Sequence, residues 1–206
     1  MNKQVDRGHY HFKKYCFFDR WASYWHQLDE IISLQPKSVL EIGVGDKVIK
    51  NYLQSNTDVE YKSLDIAEDL RPDFLADITS MPLADNSFDI VCAFEVLEHL
   101  PFEIFRKSLD EMKRVAKNYL IISLPHWGRH FSIAIRVPGF GKFTWQLKLN
   151  LLPILHKFNG QHYWEIGKKG YEIKKIKQEI RTSGLRIVRD YIIFESPYHH
   201  FFVLEK

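Results

Sequence analysis

The feature that most constrains this chain is an apolar run, Ser38-Val39-Leu40-Glu41-Ile42, that stops at Gly43-Val44-Gly45 and is followed by Val48, Ile49, Tyr52 and Leu53 at helical spacing. Strand, glycine turn and helix is the reading, because the apolar period changes from a continuous run to every third or fourth residue across the glycines. Glycines at such a junction let a ligand approach the backbone, and the amides of a helix N-terminus favour electron-rich atoms. Alone the signal is weak. The nicotinamide-type fingerprint needs a further glycine at the sixth position, where this chain has Val48.

The same rhythm recurs downstream. Val59 to Leu64 reads as a second strand ending on Asp65, and Asp73 to Ala76 as a shorter third ending before Asp77. Phe88 to Phe94 is a nearly continuous apolar run, as in a strand buried on both faces of a parallel sheet. Leu97 to Lys117 carries helical periodicity through Leu100, Ile104, Leu109, Met112 and Val115, and Tyr119 to Leu124 is a fifth strand stopped by Pro125. A helix is expected from about Lys168 to Thr182, capped at Ser183-Gly184, with antiparallel strands over Leu185 to Phe194 and Phe201 to Leu204. Alternation of this kind predicts an α/β fold, doubly wound and Rossmann-like, with a mostly parallel seven-stranded sheet and an antiparallel C-terminal edge strand.

At 206 residues the chain fits one domain, 1–206, at ~150 residues per domain. Residues 1–36 read as an N-terminal helical cap, with Trp21, Trp25, Leu28, Ile31 and Ile32 spaced along an amphipathic helix from 17 to 34. Residues 126–163 break the strand–helix rhythm and read as an insertion. A 45% hydrophobic share with 27% charged residues excludes wholesale disorder. Arg136, Lys142, Lys148 and Lys157 interrupt the greasiest region, so no membrane-spanning helix is expected. Two cysteines, Cys16 and Cys92, are too few for a disulfide framework or a cysteine-built zinc site; with no secretory signal at the N-terminus, a cytoplasmic location is expected.

Asp65 lies about twenty residues beyond the glycine turn, where a strand-end carboxylate can accept hydrogen bonds from two ribose hydroxyls, so a nucleoside-bearing ligand is indicated. Val39 to Gly45, Asp65, the stretch from Asp77 to Asp89 and Phe94-Glu95-Val96-Leu97-Glu98-His99-Leu100 together resemble the class I S-adenosylmethionine-dependent methyltransferases, most closely the type 11 methyltransferase domain. The similarity covers roughly 37 to 125, with weaker agreement from His162 to Leu185. It implies S-adenosylmethionine as cofactor, S-adenosylhomocysteine as product, and no metal. It also implies that Glu41, Gly43 and Gly45 shape the methionine end, Asp65 with Ile66 holds the ribose, Asp77 and Ile78 contact the adenine, the Phe94 carbonyl lies near the methionine amine, and His99 lies at the cofactor's outer edge. Where the family often has a third glycine, this chain has Lys47, a departure that bears on cofactor affinity.

Each of these residues also has a plain structural alternative: the glycines as a tight turn, Asp65 and Asp77 as solvated strand-end acids, Glu98 and His99 as the first turn of a helix. Methyl transfer from a sulfonium mainly needs alignment of donor and acceptor, with a base only where the acceptor must lose a proton. His126, directly after the fifth strand, is the candidate base or acceptor-orienting residue, against a reading as a loop histidine. Phe94 to Leu97 lacks the Asp/Asn-Pro-Pro-aromatic pattern of amino-nitrogen methylation, and no Pro-Cys nucleophile follows the strand, so a small-molecule acceptor, apolar or anionic, is the default.

No acid occurs between Glu111 and Glu165, while Phe131, Ile133, Ile135, Val137, Phe143, Trp145, Leu147, Leu149, Leu151, Leu152, Ile154 and Leu155 alternate with basic residues. The insertion therefore reads as a lid over the acceptor, a contact with anionic lipid at a membrane surface, or a packing or homodimer-forming arm. Nucleic acid ranks below these. The rival functions are a methyltransferase-like binding protein without turnover and a methyltransferase acting on RNA.

Overall fold

A computed structural model describes residues 7–149 and 154–206; Leu151 and Leu152 of the insertion lie outside the described residues. In chain order the elements are α1 Phe12–Tyr15, α2 Phe18–Ser33, β1 Ser38–Ile42, α3 Val48–Asn56, β2 Glu60–Asp65, β3 Phe74–Leu75, β4 Phe88–Phe94, α4 Phe102–Val115, β5 Ala116–Pro125, β6 Arg129–Val137, β7 Gly141–Leu149, α5 Ile173–Thr182, β8 Arg186–Ile192 and β9 His199–Glu205. Seven strands form one sheet in the order β3-β2-β1-β4-β5-β9-β8, and β6 and β7 form a separate hairpin. Strands β1 to β5 pair in parallel, while β9 runs antiparallel to both β5 and β8. The antiparallel strand thus lies one place in from the edge, which β8 occupies.

Strand alternation builds a core on each face of this sheet. Leu40, Ile42, Val91, Ala93, Leu120 and Ile122 point to the side covered by α4 and α5, where Phe105, Leu109, Met112, Ile176 and Ile180 meet them. Val39, Ile90, Cys92 and Ile121 point to the other side, packed by Tyr24 and Ile31 of α2 and by Ile49 and Leu53 of α3. Each fully buried large aliphatic or aromatic side chain contributes ~1.5 to 3 kcal/mol of transfer free energy, so both layers hold the sheet between them. No helix among the described residues is long and apolar enough to cross a membrane.

Three local expectations are corrected. The helix expected over Leu97 to Lys117 is split: Leu97–His99 is a single 3-10 turn, and α4 begins only at Phe102. Pro101 is the cause, since the residue before a proline is pushed out of the helical region, and Leu100 is extended at φ −113°, ψ 149°. The helix expected from Lys168 starts at Ile173, because Gly167 and Gly170 take positive φ in the turn before it. Finally, α2 is rotated relative to the expected apolar stripe. Trp21 and Trp25 remain 49% and 60% exposed, while Ser23, Tyr24, Gln27, Glu30 and Ile31 face inward. Glu30 is tolerated there because Arg189 and Tyr191 of β8 hydrogen-bond its carboxylate, the Tyr191 hydroxyl at 2.8 Å.

Candidate functional site

The strand order reverses between β1 and β4, and the crevice beyond their C-terminal ends is where an open α/β sheet offers a ligand site. At the end of β1 the Gly43 amide donates to the Leu64 carbonyl at 2.9 Å, continuing the β1–β2 ladder into the turn. Gly43 has φ +80°, and a Cβ there would stand 2.4 Å from Cγ2 of Val96 in the loop after β4. Glycine is therefore required twice over, for conformation and for space. Gly45 has φ +47° and lies under the ring of Tyr10. Lys47 takes the left-handed conformation at φ 68° just before α3, which explains why a glycine is at home in that position and makes the lysine a strained substitute.

Asp65, at the end of β2, accepts the Val44 amide on Oδ2 at 3.0 Å and the Ala67 amide on Oδ1 at 2.9 Å. It thereby ties the glycine turn to the loop after β2. Burial raises its carboxyl, with the amides of Ala67 and Val44 opposing. Asp77 accepts the amide and hydroxyl of Thr79, both at 2.8 Å; these bonds outweigh its burial and hold its carboxyl below the usual range. Glu41 is buried beneath the turn and takes a hydrogen bond from the Tyr61 hydroxyl. Burial pushes its carboxyl up to about 8 despite that bond.

These parts surround one cavity of about 570 Å³, in the size range of small-molecule and cofactor sites. Of the expected site residues, Gly43, Gly45, Asp65, Ile66, Asp77, Ile78, Phe94 and His99 line it. Glu41 does not; it sits behind the glycine turn. The N-terminal cap contributes His9, Tyr10, Tyr15 and Arg20 to the wall. The Arg20 guanidinium lies 4.2 Å over the Tyr15 ring and donates to its hydroxyl at 3.1 Å.

The opposite wall comes from the loop after β4 and from the C-terminal end of the insertion. Glu95 lines the cavity in a left-handed conformation, φ 54°, rare for a non-glycine residue and a form of strain that clusters at functional sites. Burial pushes its carboxyl up to about 7, with Arg20 pulling the other way, and Oε1 has no hydrogen-bond partner among the described residues. Glu98 is wholly buried behind it, and burial, reinforced by Glu95, raises its carboxyl well above the ordinary value. Burial also lowers His99 to about 4. Phe158, Gln161, His162 and Tyr163 complete the wall, with Phe158 and Tyr163 rings 4.6 Å apart.

Sequence reasoning missed Arg20, Glu95 and His162 as cavity residues. Arg20 lies in the amphipathic segment from 17 to 34, and Glu95 lies within the run from Phe94 to Leu100. His162 could only have been found by the density of histidine and aromatic residues from 156 to 164.

His126 does not line the cavity, a correction to its expected role. Its amide donates to the Tyr198 carbonyl at 2.7 Å, its carbonyl accepts Lys148, and its ring stacks on His200 with Nδ1 to Nδ1 at 2.8 Å. His200 in turn reaches Asp190 through Nε2 at 2.6 Å. Asp190 can only accept, so His200 is protonated on Nε2 and accepts the His126 proton on Nδ1. Burial, with Lys148 and His200 adding, pushes His126 down to about 3. It clasps the ends of β5, β8 and β9 together. Among the described residues, the hairpin of β6 and β7 contributes nothing to the cavity wall either; only the return segment of the insertion does.

A mostly parallel open sheet with a glycine turn after its first strand, an acid ending the second and a cavity across the switch point defines a doubly wound α/β fold with its ligand crevice at the strand ends. Residues 40–122 match the model of a methyltransferase domain. Solved structures share the whole fold. An S-adenosylmethionine-dependent methyltransferase from Aquifex aeolicus superposes with a TM-score of 0.59 at 16% identity, over 98% of each chain. The 1,6-didemethyltoxoflavin-N1-methyltransferase of Burkholderia thailandensis, solved with its substrate and S-adenosylhomocysteine, gives 0.61 at 12% identity, over 91% of this chain and 77% of its own. Magnesium protoporphyrin IX methyltransferase from Synechocystis, solved with S-adenosylmethionine, gives 0.56 at 15%, over 91% and 79%. No curated protein matches the sequence.

Proposed function

We propose that the chain methylates an oxygen of a small, planar, anionic acceptor bound beside Glu95 in the same cavity that takes the cofactor. The observation that carries this is the continuity of the cavity: Asp65 and Asp77 stand on one wall, and Arg20, Tyr15, Phe158 and Tyr163 on the others. The residues fit the cofactor. Asp65 spends one lone pair of each oxygen on the backbone and keeps the rest for ribose hydroxyls, and the missing Cβ at Gly43 leaves room for close backbone approach. S-adenosylmethionine, when bound, supplies an electrophilic methyl group on a sulfonium.

The chain's own residues then align and deprotonate. Tyr15, Phe158 and Tyr163 offer ring faces for a planar acceptor, and Arg20 offers a half-buried cation for its anionic group. Glu95 lines the cavity and takes the acceptor's proton on its carboxylate, and a carboxyl held near 7 suits a general base at neutral pH. Incubation with methyl-labelled cofactor and a panel of hydroxylated aromatic acids should yield labelled product well beyond one equivalent per chain, lost in Glu95→Gln. Cofactor binding with no turnover on any acceptor would favour a binding protein.

For partners, the hairpin supports contact with an anionic lipid surface better than it supports a lid. Its apolar face is turned outward, away from the cavity wall, and its stretch of chain is free of acids. Co-sedimentation with phosphatidylglycerol vesicles tests this; concentration-dependent dimerisation without vesicle binding would favour the arm reading.

A further inference from the structure

We propose that Glu98, His99 and His162 form a binding site for one divalent first-row transition-metal cation at the wall of the cavity. The three side chains can each present one ligand atom, and those atoms lie within 4.8 Å of one another. Nε2 of His99 is 4.0 Å and Nε2 of His162 is 3.9 Å from Oε1 of Glu98. Metal–ligand bonds of ~2.0 to 2.1 Å place tetrahedral ligands about 3.3 Å apart, so the set needs to contract by up to roughly 1.5 Å.

Two independent observations point to a cation here rather than to a mere cluster. Glu98 is 0% exposed, yet neither of its carboxylate oxygens has a hydrogen-bond partner among the described residues. A carboxylate so placed is costly unless something positive joins it. The second is the orientation of the rings. His162 meets Oε1 of Glu165 through Nδ1 at 3.1 Å, and Glu165 is held by the Tyr198 hydroxyl at 2.9 Å. His99 meets the Gln161 carbonyl through Nδ1, also at 3.1 Å. Carboxylate and carbonyl only accept, so both rings carry their proton on Nδ1 and set Nε2 on the side of Glu98. Outer partners of this kind, one carboxylate and one carbonyl, are what fix the tautomer of metal-ligating histidines.

The backbone holds the two contributing segments in register. The Tyr163 amide donates to the Glu98 carbonyl at 2.9 Å, and Asn159 Oδ1 receives the amides of Gln161 and His162. Two imidazoles and a carboxylate are a donor set suited to zinc, iron, cobalt or manganese rather than to calcium. Three protein ligands leave at least one coordination position open, and since His99 and His162 line the cavity, that position fits an oxygen donor of a small molecule bound there.

The test needs no turnover. Chelator-stripped full-length protein is titrated with cobalt(II), followed by its visible d–d absorption, and the cobalt is then competed with zinc. Bound metal is counted by mass spectrometry after dialysis. We expect one ion per chain, a rise in Tm with metal, and at least a hundredfold weaker binding in Glu98→Gln and in His162→Gln. Glu98→Gln replaces the buried carboxyl by a near-isostere, and circular dichroism checks that both variants fold. S-adenosylhomocysteine affinity, measured in parallel on stripped protein, separates failure of the metal site from failure of the cofactor reading. Absence of stoichiometric metal at millimolar cobalt and zinc, or equal binding by both folded variants, would overturn the proposal.

Discussion

The cavity and the hairpin are built on opposite plans. Around the cavity the chain turns polar groups inward and gives most of them partners: Asp65 takes two backbone amides and Asp77 takes Thr79. On the hairpin the polar side is the inner one. Gln146 donates to the Ile192 carbonyl at 2.8 Å, Lys148 to the Pro197 carbonyl at 2.6 Å, and Lys142 lies 3.4 Å from Glu195. The apolar side faces out, with the cross-strand pairs Phe131 and Leu147, Ile133 and Trp145, and Ile135 and Phe143 in direct register. Phe131 is 60% and Trp145 54% exposed. The inner region is shaped to receive something small, and the outer one presents the kind of contiguous apolar patch that marks an interaction surface.

Glycines offer the sharpest contrast between the two regions. Gly43 and Gly139, in the tip between β6 and β7, share nearly the same φ, +80° and +81°, but a Cβ at Gly139 meets nothing within 4 Å. Gly139→Ala should cost only backbone strain, ~1 to 2 kcal/mol. Gly43→Ala adds overpacking against Val96 for a total of ~2 to 5 kcal/mol, and should abolish cofactor binding as well. Urea denaturation of both variants checks the difference, and equal losses would mean that Val96 yields freely.

Buried groups just behind the two regions titrate in opposite senses, Glu41 beneath the glycine turn and His126 beside Lys148 of β7. Glu41 is raised to about 8 by burial, so its contribution to stability is complete below its ordinary value near 4.5 and is lost as pH rises through 8. His126 is lowered to about 3 by burial, facing Lys148 and His200 with Asp190 and Lys177 behind, so its contribution is present above 6.5 and is lost as pH falls toward 3. Glu41→Gln should therefore flatten the stability profile between pH 4.5 and 8, and His126→Asn between pH 3 and 6.5. Each slope should change by up to one proton, about 1.4 kcal/mol per pH unit. Profiles unchanged in both variants would remove these groups from the account.

Much of the inner plan is legible in the sequence because its signals are local. The run Ser38 to Ile42, the glycine pair and the acid ending β2 each declare themselves within a few residues, and their order carries the fold. The face of α2 was not legible, because Ser23, Gln27 and Glu30 are inward only through partners such as Arg189 and Tyr191, which lie far along the chain. The meeting of Glu98 and His99 with His162 is likewise long-range. In the insertion, the period-two alternation of Phe131, Ile133, Ile135 and Val137 was a strand signal, yet alternation does not say which face meets the body. His126 misled because its position after β5 is right for a catalytic residue while its side chain is claimed by β9.

The smallest effect is expected on the hairpin itself. Exchanging Phe131 and Trp145 for serine should leave stability within ~0.5 kcal/mol, as for surface positions generally, and cofactor affinity unchanged, while vesicle binding is lost. A large loss of stability would show that this face is packed after all.

The most direct measurement is a calorimetric titration of S-adenosylhomocysteine into the wild-type chain and into Asp65→Ala. One site per chain is expected, weakened by ~1 to 3 kcal/mol in the variant because ribose hydroxyls lose their buried acceptor. Equal affinity in both, or no binding by the folded wild type, would contradict the assignment of the cavity to the cofactor.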